Sequence, residues 1–405
     1  MNLLNSFPTP ANEIIAINHP IICFSHLRWD FVLQRPQHLM QRFSAERQVF
    51  FFEEFIPTDH HLAYLEIHPF AGTTVKAVRP RVPHWWSEQE REAALAGLLD
   101  ELIALMGSSP PILWFYTPAM YNFASHVEAA AVVYDCMDEL ANFRFAPADL
   151  KVSEQALMAR ADAVFTGGHS LYEAKRDRHD NIHPFPSSVD SSHFFVARME
   201  FVQPVDQADI PAPRLGYYGV IDERLDLDLI GTVAALRPDL SFVFIGPVVK
   251  ISQQDLPRAA NIHYLGQKSY SELPVYLSGW DAALMPFALN EATRFISPTK
   301  TPEYLAAGKA VVSTPINDVV KTYGEVDGVF IASDADSFAR LCDEAVRLSR
   351  GDKAWLEPVD GLLANMSWDR TFRAMAMIVD NAVEANRLKP CEKHKTRPMV
   401  DAAIE

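Results

Sequence analysis

Short apolar runs alternate with stretches of helical periodicity along most of the chain. In the first half the runs fall at residues 20–25, 48–52, 74–78, 112–117, 132–138, 163–167 and 182–186. Each is rich in Val, Ile, Phe or Tyr and is bounded by polar or turn-forming residues, which predicts buried strands. Helical stretches at 34–45, 88–106 and 150–161 fall between them. Such alternation predicts a parallel sheet covered on both faces. The pattern breaks at residues 199–213, MEFVQPVDQADIPAP, where three prolines among acidic residues predict a linker. A second series follows, with strands at 214–218, 241–245, 261–265, 281–287, 310–313 and 328–331. Its helices fall at 225–235, 270–277, 299–307 and 335–348. A last amphipathic stretch, 368–385, places Phe372, Met375, Met377, Ile378 and Ala382 on its apolar positions. The expected fold is α/β, with two Rossmann-like, doubly wound domains facing across a cleft. Ligands of such sheets sit at the carboxyl ends of the strands, so the cleft is the expected site.

The length of 405 residues suits two domains of roughly 150–200 residues each. A hydrophobic share of 49% with 22% charged residues marks a globular chain. The 52 acidic residues outnumber the 36 basic ones, for a net charge of −16. That excludes a broad grip on nucleic acid, which needs a basic face. The four cysteines, Cys23, Cys136, Cys342 and Cys391, are far apart, which argues against a zinc site or a disulfide framework and suits a reducing cytoplasm. The start of the chain lacks a basic segment followed by an apolar run, and no window reaches 18 apolar residues, so neither a signal peptide nor a membrane span is expected. The basic stretch after Arg387 reads as a frayed tail, with contact to anionic lipid as the alternative. Trp85 and Trp86 read as core or as a helix staple, with a membrane-interface contact at the inner face as the alternative.

The common α/β signatures are missing: no GxGxxG, no P-loop, no GxSxG, no HExxH. The informative segment is 290–315, NEATRFISPTKTPEYLAAGKAVVSTP. Ser297 as N-cap and Pro298 at the first helical position predict a helix start. The amides of Thr299 and Lys300, the positive helix end and the Lys300 ammonium then form a cradle for a diphosphate. Glu303, one turn on, can accept hydrogen bonds from a ribose diol. The same residues also fit a capped surface helix with an incidental lysine.

The pattern SP-x-K-x-x-EYLAAGK-x-VV resembles the donor-binding motif of GT-B glycosyltransferases, in particular the large retaining class grouped as family 4. The resemblance implies that Lys300 and the helix start bind the diphosphate of a nucleotide sugar and that Glu303 binds its ribose. Members often carry two glutamates spaced E-x7-E; here the first place is Phe295, with Glu291 or Arg294 as substitutes. Residues 214–224, RLGYYGVIDER, resemble the first strand and loop of the donor domain, so Gly219, Val220 and Arg224 are implied at the phosphates. Residues 261–276 resemble the segment that brackets the base, which implies Gln267 and Lys268 there.

The first half resembles the same family through SHLRWDFVLQRPQH at residues 25–38. Arg28 and Arg35 are candidates to clamp a pyrophosphate or an anionic acceptor, and Trp29 to stack on a sugar. His26 and Asp30 are acceptor-side candidates, although Arg35 with Asp30 also fits a structural ion pair. At 132–138, VVYDCMD, Met137 takes the place where the family often has a histidine. Asp135 and Asp138 are the candidate carboxylates, for acceptor hydroxyls or for deprotonation. Tyr116 is a candidate on the acceptor side. TGGHS at 166–170 and PSSVD at 186–190 occupy further family stretches.

The domains expected are 1–203 with a crossing helix 368–390, then 204–367 for the donor, then a tail 391–405. The implied activity is a metal-independent glycosyltransferase, retention of configuration being part of the analogy. It moves a sugar from a nucleotide diphosphate, most readily UDP, to a saccharide or lipid-linked acceptor in envelope polysaccharide synthesis. No cofactor is expected beyond that co-substrate. A nucleotide-sugar 2-epimerase on the same fold and a non-catalytic sugar-binding or partner subunit are the alternatives.

Overall fold

The structure, a computed structural model, describes residues 18–144 and 146–389. The chain start, the tail 391–405 and Cys391 lie outside the described residues. Two separate sheets carry the fold. The first runs Ile56–Thr58, Val75–Pro83, Val49–Glu53, Ile21–Ser25, Ile112–Phe115, Ala131–Cys136, Ala163–Thr166, Ile182–Pro184. Tyr64–Pro69 adds to Val75–Pro83 antiparallel, while the pairings along the main path are parallel. The second sheet is parallel and runs Ile262–Tyr264, Ser241–Ile245, Arg214–Tyr218, Ala282–Met285, Val311–Ser313, Val329–Ile331.

The direction of winding reverses beside Ile21–Ser25 in one sheet and beside Arg214–Tyr218 in the other. Both are fully or nearly fully buried, as central strands covered on two faces must be. The crevice past a reversal is where such sheets bind ligands, so the loops after Ser25 and Tyr218 are placed to meet one. The strands Ile56–Thr58 and Tyr64–Pro69 have no counterpart in the apolar pattern. They form an edge of half-exposed residues.

Two readings of the chain's organisation need correction. Residues 199–213 are not a free linker. Gln207 is buried there, accepts the indole N–H of Trp280 at 2.9 Å and donates to the Tyr276 carbonyl at 2.9 Å. The core of the second unit already includes Val189, Phe194 and Ala197, so the change of unit falls before residue 203. The outgoing and returning segments run side by side: Val189 bridges Ser367 and donates to the Met366 carbonyl at 2.8 Å.

The last helix, Trp368–Leu388, returns to the first unit. Trp368, Met375 and Val379 join the core on one face of the first sheet. His38 stacks on Trp368 at 4.6 Å, and Arg42 and Arg47 pair with Asp369 and Asp380 at 2.6 and 3.0 Å. Met377 does not share that face. It is 63% exposed, because its position in the turn points away from the sheet.

Candidate functional site

A cavity of about 610 Å³ lies between the two units. Asp30–Arg35, Met137 and Asp138 line it from the first. Gly219, Val220, Arg224, residues 267–270, residues 297–300 and Glu303 line it from the second.

The second unit's wall is built around close approach. Gly219 follows the strand Arg214–Tyr218 directly, with φ +134°, a backbone state that favours glycine. A Cβ there would lie 2.3 Å from Cε of Lys300 and 2.9 Å from its Nζ. Lys300 therefore packs its stem where Gly219 leaves room, with Nζ 5.8 Å from the ring of Tyr217. It has no ion pair among the described residues. Burial lowers its pKa, and the neighbouring Glu303 works against that shift. Glu303 receives the hydroxyl of Tyr218, and burial pushes its pKa up to about 7.

The helix here is Lys300–Ala306, with Thr299 as its N-cap. This corrects the expected start. Ser297 and Pro298 lie in the preceding loop, where the Ser297 carbonyl accepts from the Ser187 hydroxyl at 2.8 Å. Thr299 has no side-chain cap bond, so the first amides of the helix are not satisfied by a capping side chain.

The other donor-side residues divide. Val220 lines the cavity. Arg224 also lines it, but Asp222 holds its guanidinium at 2.8–3.1 Å. The Gln267 amide reaches across the cleft and donates to the Phe31 carbonyl at 3.1 Å. Lys268 also lines the cavity, with its ammonium held by Asp206 at 2.6 Å.

The first unit spends most of its polar cluster on itself. Arg28 donates to Glu53 at 3.0 Å and to the Glu54 carbonyl at 2.6 Å and does not line the cavity. Trp29 packs its ring 5.1 Å from Phe51 and 5.9 Å from Phe70, so it is not placed to stack on a sugar in the cleft. Asp30 sits on the cavity rim and pairs with Arg79 at 2.6 Å, not with Arg35. Arg35 forks onto Asp135 at 2.9–3.1 Å and donates to the Phe185 carbonyl at 2.7 Å. Asp135 is 0% exposed, so it is not placed to receive an acceptor proton. Tyr116 is buried and also lies off the cavity. His26 lies off it too; burial, helped by Lys250, lowers its pKa to about 4 and keeps it neutral.

Asp138 differs from all of these. It stands on the cavity wall, and its carboxylate has no hydrogen bond or ion pair among the described residues. Burial pushes its pKa up to about 6, with Arg224 the main opposing charge.

Sequence reasoning missed the contacts that bring the units together. Asp318 is buried and accepts the Ser170 amide of the other unit at 2.9 Å. A Cβ on Gly168 would lie 1.9 Å from the second oxygen of Asp318, which explains the small residue there. Phe295, at the place of the family's first glutamate, packs against the first unit's core. Glu291 pairs with Arg294 at 3.7 Å. Adjacent Tyr217 and Tyr218 at a strand end were the available signal for the partner of Glu303. Trp86 packs against the core while Trp85 is 49% exposed. Among the described residues, no group of three or more His, Cys, Asp or Glu is placed to hold a metal ion, and no helix is long and apolar enough to cross a membrane.

Residues 212–347 match the family model described as glycosyl transferases group 1. That span holds the wall with Gly219, Lys300 and Glu303. The chain is 25% identical over 300 residues to the proposed teichuronic acid biosynthesis glycosyltransferase TuaH of Bacillus subtilis (strain 168), which covers 69% of this chain and 74% of that protein. Sucrose-phosphate synthase from Thermosynechococcus elongatus superposes with a TM-score of 0.69 at 14% identity, covering 91% of this chain and 100% of that one. Anabaena HepE, solved with UDP and glucose, superposes with a TM-score of 0.63 at 11% identity, covering 89% and 99%. The fold is the GT-B fold of glycosyltransferases, with two Rossmann-like domains.

Proposed function

We propose that this chain is a glycosyltransferase that moves a sugar from a UDP-sugar to a hydroxyl of a saccharide or lipid-linked acceptor in envelope polysaccharide synthesis, with retention of configuration. One observation carries the reading. An ammonium without an ion pair among the described residues, Lys300, is set against Gly219 and one turn before Glu303, within the group 1 match. When the bond from the anomeric carbon to the diphosphate breaks, negative charge grows on the leaving oxygen. Lys300 is fixed in a partly desolvated place to meet that charge, where it acts more strongly than in water. The helix is short, so the lysine rather than its dipole supplies most of the effect. Glu303 accepts from the ribose hydroxyls, with Tyr218 holding it in place. Arg224 can add to the phosphate contact by leaving Asp222.

The bases of the choice of UDP and of the acceptor are the UDP in the HepE complex and the polysaccharide role in the name of TuaH. We further propose that no metal is required, because the Lys300 ammonium itself brings positive charge to the leaving diphosphate. The test is thermal denaturation with UDP, GDP, ADP, TDP and CMP in the presence of EDTA, since a ligand of the native state raises the melting temperature. A rise for UDP that disappears in Lys300→Ala is expected. No rise with any nucleotide would overturn the proposal.

A further inference from the structure

The charges around Asp138 and the neighbouring loops of both units are matched in an uneven way. Arg28 and Arg35, which the sequence offered as clamps for an anion, are neutralised by Glu53 and Asp135 at 3.0 and 2.9 Å. Arg224 is neutralised by Asp222 at 2.8 Å, and Lys250 faces Glu223 at 3.7 Å. Asp138 is left on the cavity wall with no pair of its own among the described residues. Lys300, on the opposite wall, is the cation that a donor diphosphate takes.

Two facts about charge in a recessed site then decide what the acceptor end favours. A second carboxylate or a phosphate beside Asp138 is repelled, since like charges in a partly desolvated cleft interact more strongly than in water. A sugar hydroxyl instead donates to the carboxylate in a charge-assisted hydrogen bond, among the stronger kinds available. We infer that the acceptor presents an uncharged, hydroxyl-bearing sugar to the cleft, held by a hydrogen bond to Asp138, and that a sugar carrying a carboxylate or phosphate beside that hydroxyl is rejected. The inference rests on the glycosyltransferase reading and narrows its substrate class.

The experiment is saturation-transfer NMR on the full chain with UDP present. The probes are methyl glucoside, methyl N-acetylglucosaminide, methyl glucuronide and glucose 6-phosphate. The neutral pair should bind about tenfold more tightly than the anionic pair, the size of one modest charge repulsion. Asp138→Asn should bring the two classes to within about threefold of each other, because the repelling charge is gone. Asp138→Glu, which keeps the charge, should preserve the discrimination and guards against a folding defect in the first variant. Equal binding of both classes by the wild type would overturn the inference, as would unchanged discrimination in Asp138→Asn. Failure of every neutral sugar to bind while UDP still raises the melting temperature would also overturn it. Loss of the UDP response in the wild type strikes instead at the transferase reading, so the two failures can be told apart.

Discussion

The loop after Tyr218 and the loop after Ser25 occupy equivalent places, each past the winding reversal of its own sheet. They treat their polar residues in opposite ways. In the second unit, Gly219 keeps the backbone bare and Lys300 stays without an ion pair beside it. In the first, the polar residues build the loop. Gln37 donates to the carbonyls of Arg28, Trp29 and Val32 at 3.0–3.3 Å, and Glu53 accepts the Trp29 amide at 2.8 Å. A dense polar signature therefore has two meanings at such a place. It marks groups held ready for a ligand when small residues surround it, and groups consumed by the scaffold when the chain must cross several unpaired carbonyls.

That contrast can be broken or sharpened by substitution. The largest effect is expected for Lys300→Ala: a loss of about a thousandfold in transfer rate, read with UDP-sugar and acceptor, together with loss of the UDP thermal response. Asp138→Asn should lower transfer about a hundredfold while the UDP response remains, since its side chain serves the other wall. The rate of the wild type should fall as pH drops below about 6, where Asp138 gains its proton, and that limb should be missing from the variant. Glu303→Gln should weaken UDP about tenfold and change stability in the other direction. Burial raises the Glu303 pKa from 4.5 to about 7, so the folded chain holds a proton that the unfolded chain releases. Its contribution is complete below about pH 4.5 and is lost as pH rises through about 7, an effect of about 3 kcal/mol. The glutamine variant should lack this decline and melt higher than the wild type at pH 8. The smallest effect on transfer is expected for Arg28→Ala, within about twofold, with a stability loss of about 1–2 kcal/mol in urea titration because Glu53 keeps Arg79 as a partner.

The parallel sheets were legible because buried strands must be apolar on both faces, as at Ile21–Ser25 and Ser241–Ile245. Edge strands were not. Tyr64–Pro69 faces solvent on much of its surface and holds no such run. Lys300 and Glu303 stood out because their motif is local, within one turn of helix. Asp135 and Asp138 could not be separated along the chain, since the arginine that takes Asp135 lies 100 positions away. The proline-rich segment 199–213 hid its packing for the same reason: the partners of Gln207 are 69 and 73 positions away.

The helix Trp368–Leu388 sets an order of assembly. A ribosome that has finished the first unit's sheet has not yet made Trp368, Met375 or Val379, which cover one of its faces. At about 5–20 residues per second, that face waits on the order of ten seconds or more while the whole second unit is made. The unit synthesised first is thus completed last, and until then its bare apolar face is what a chaperone would find.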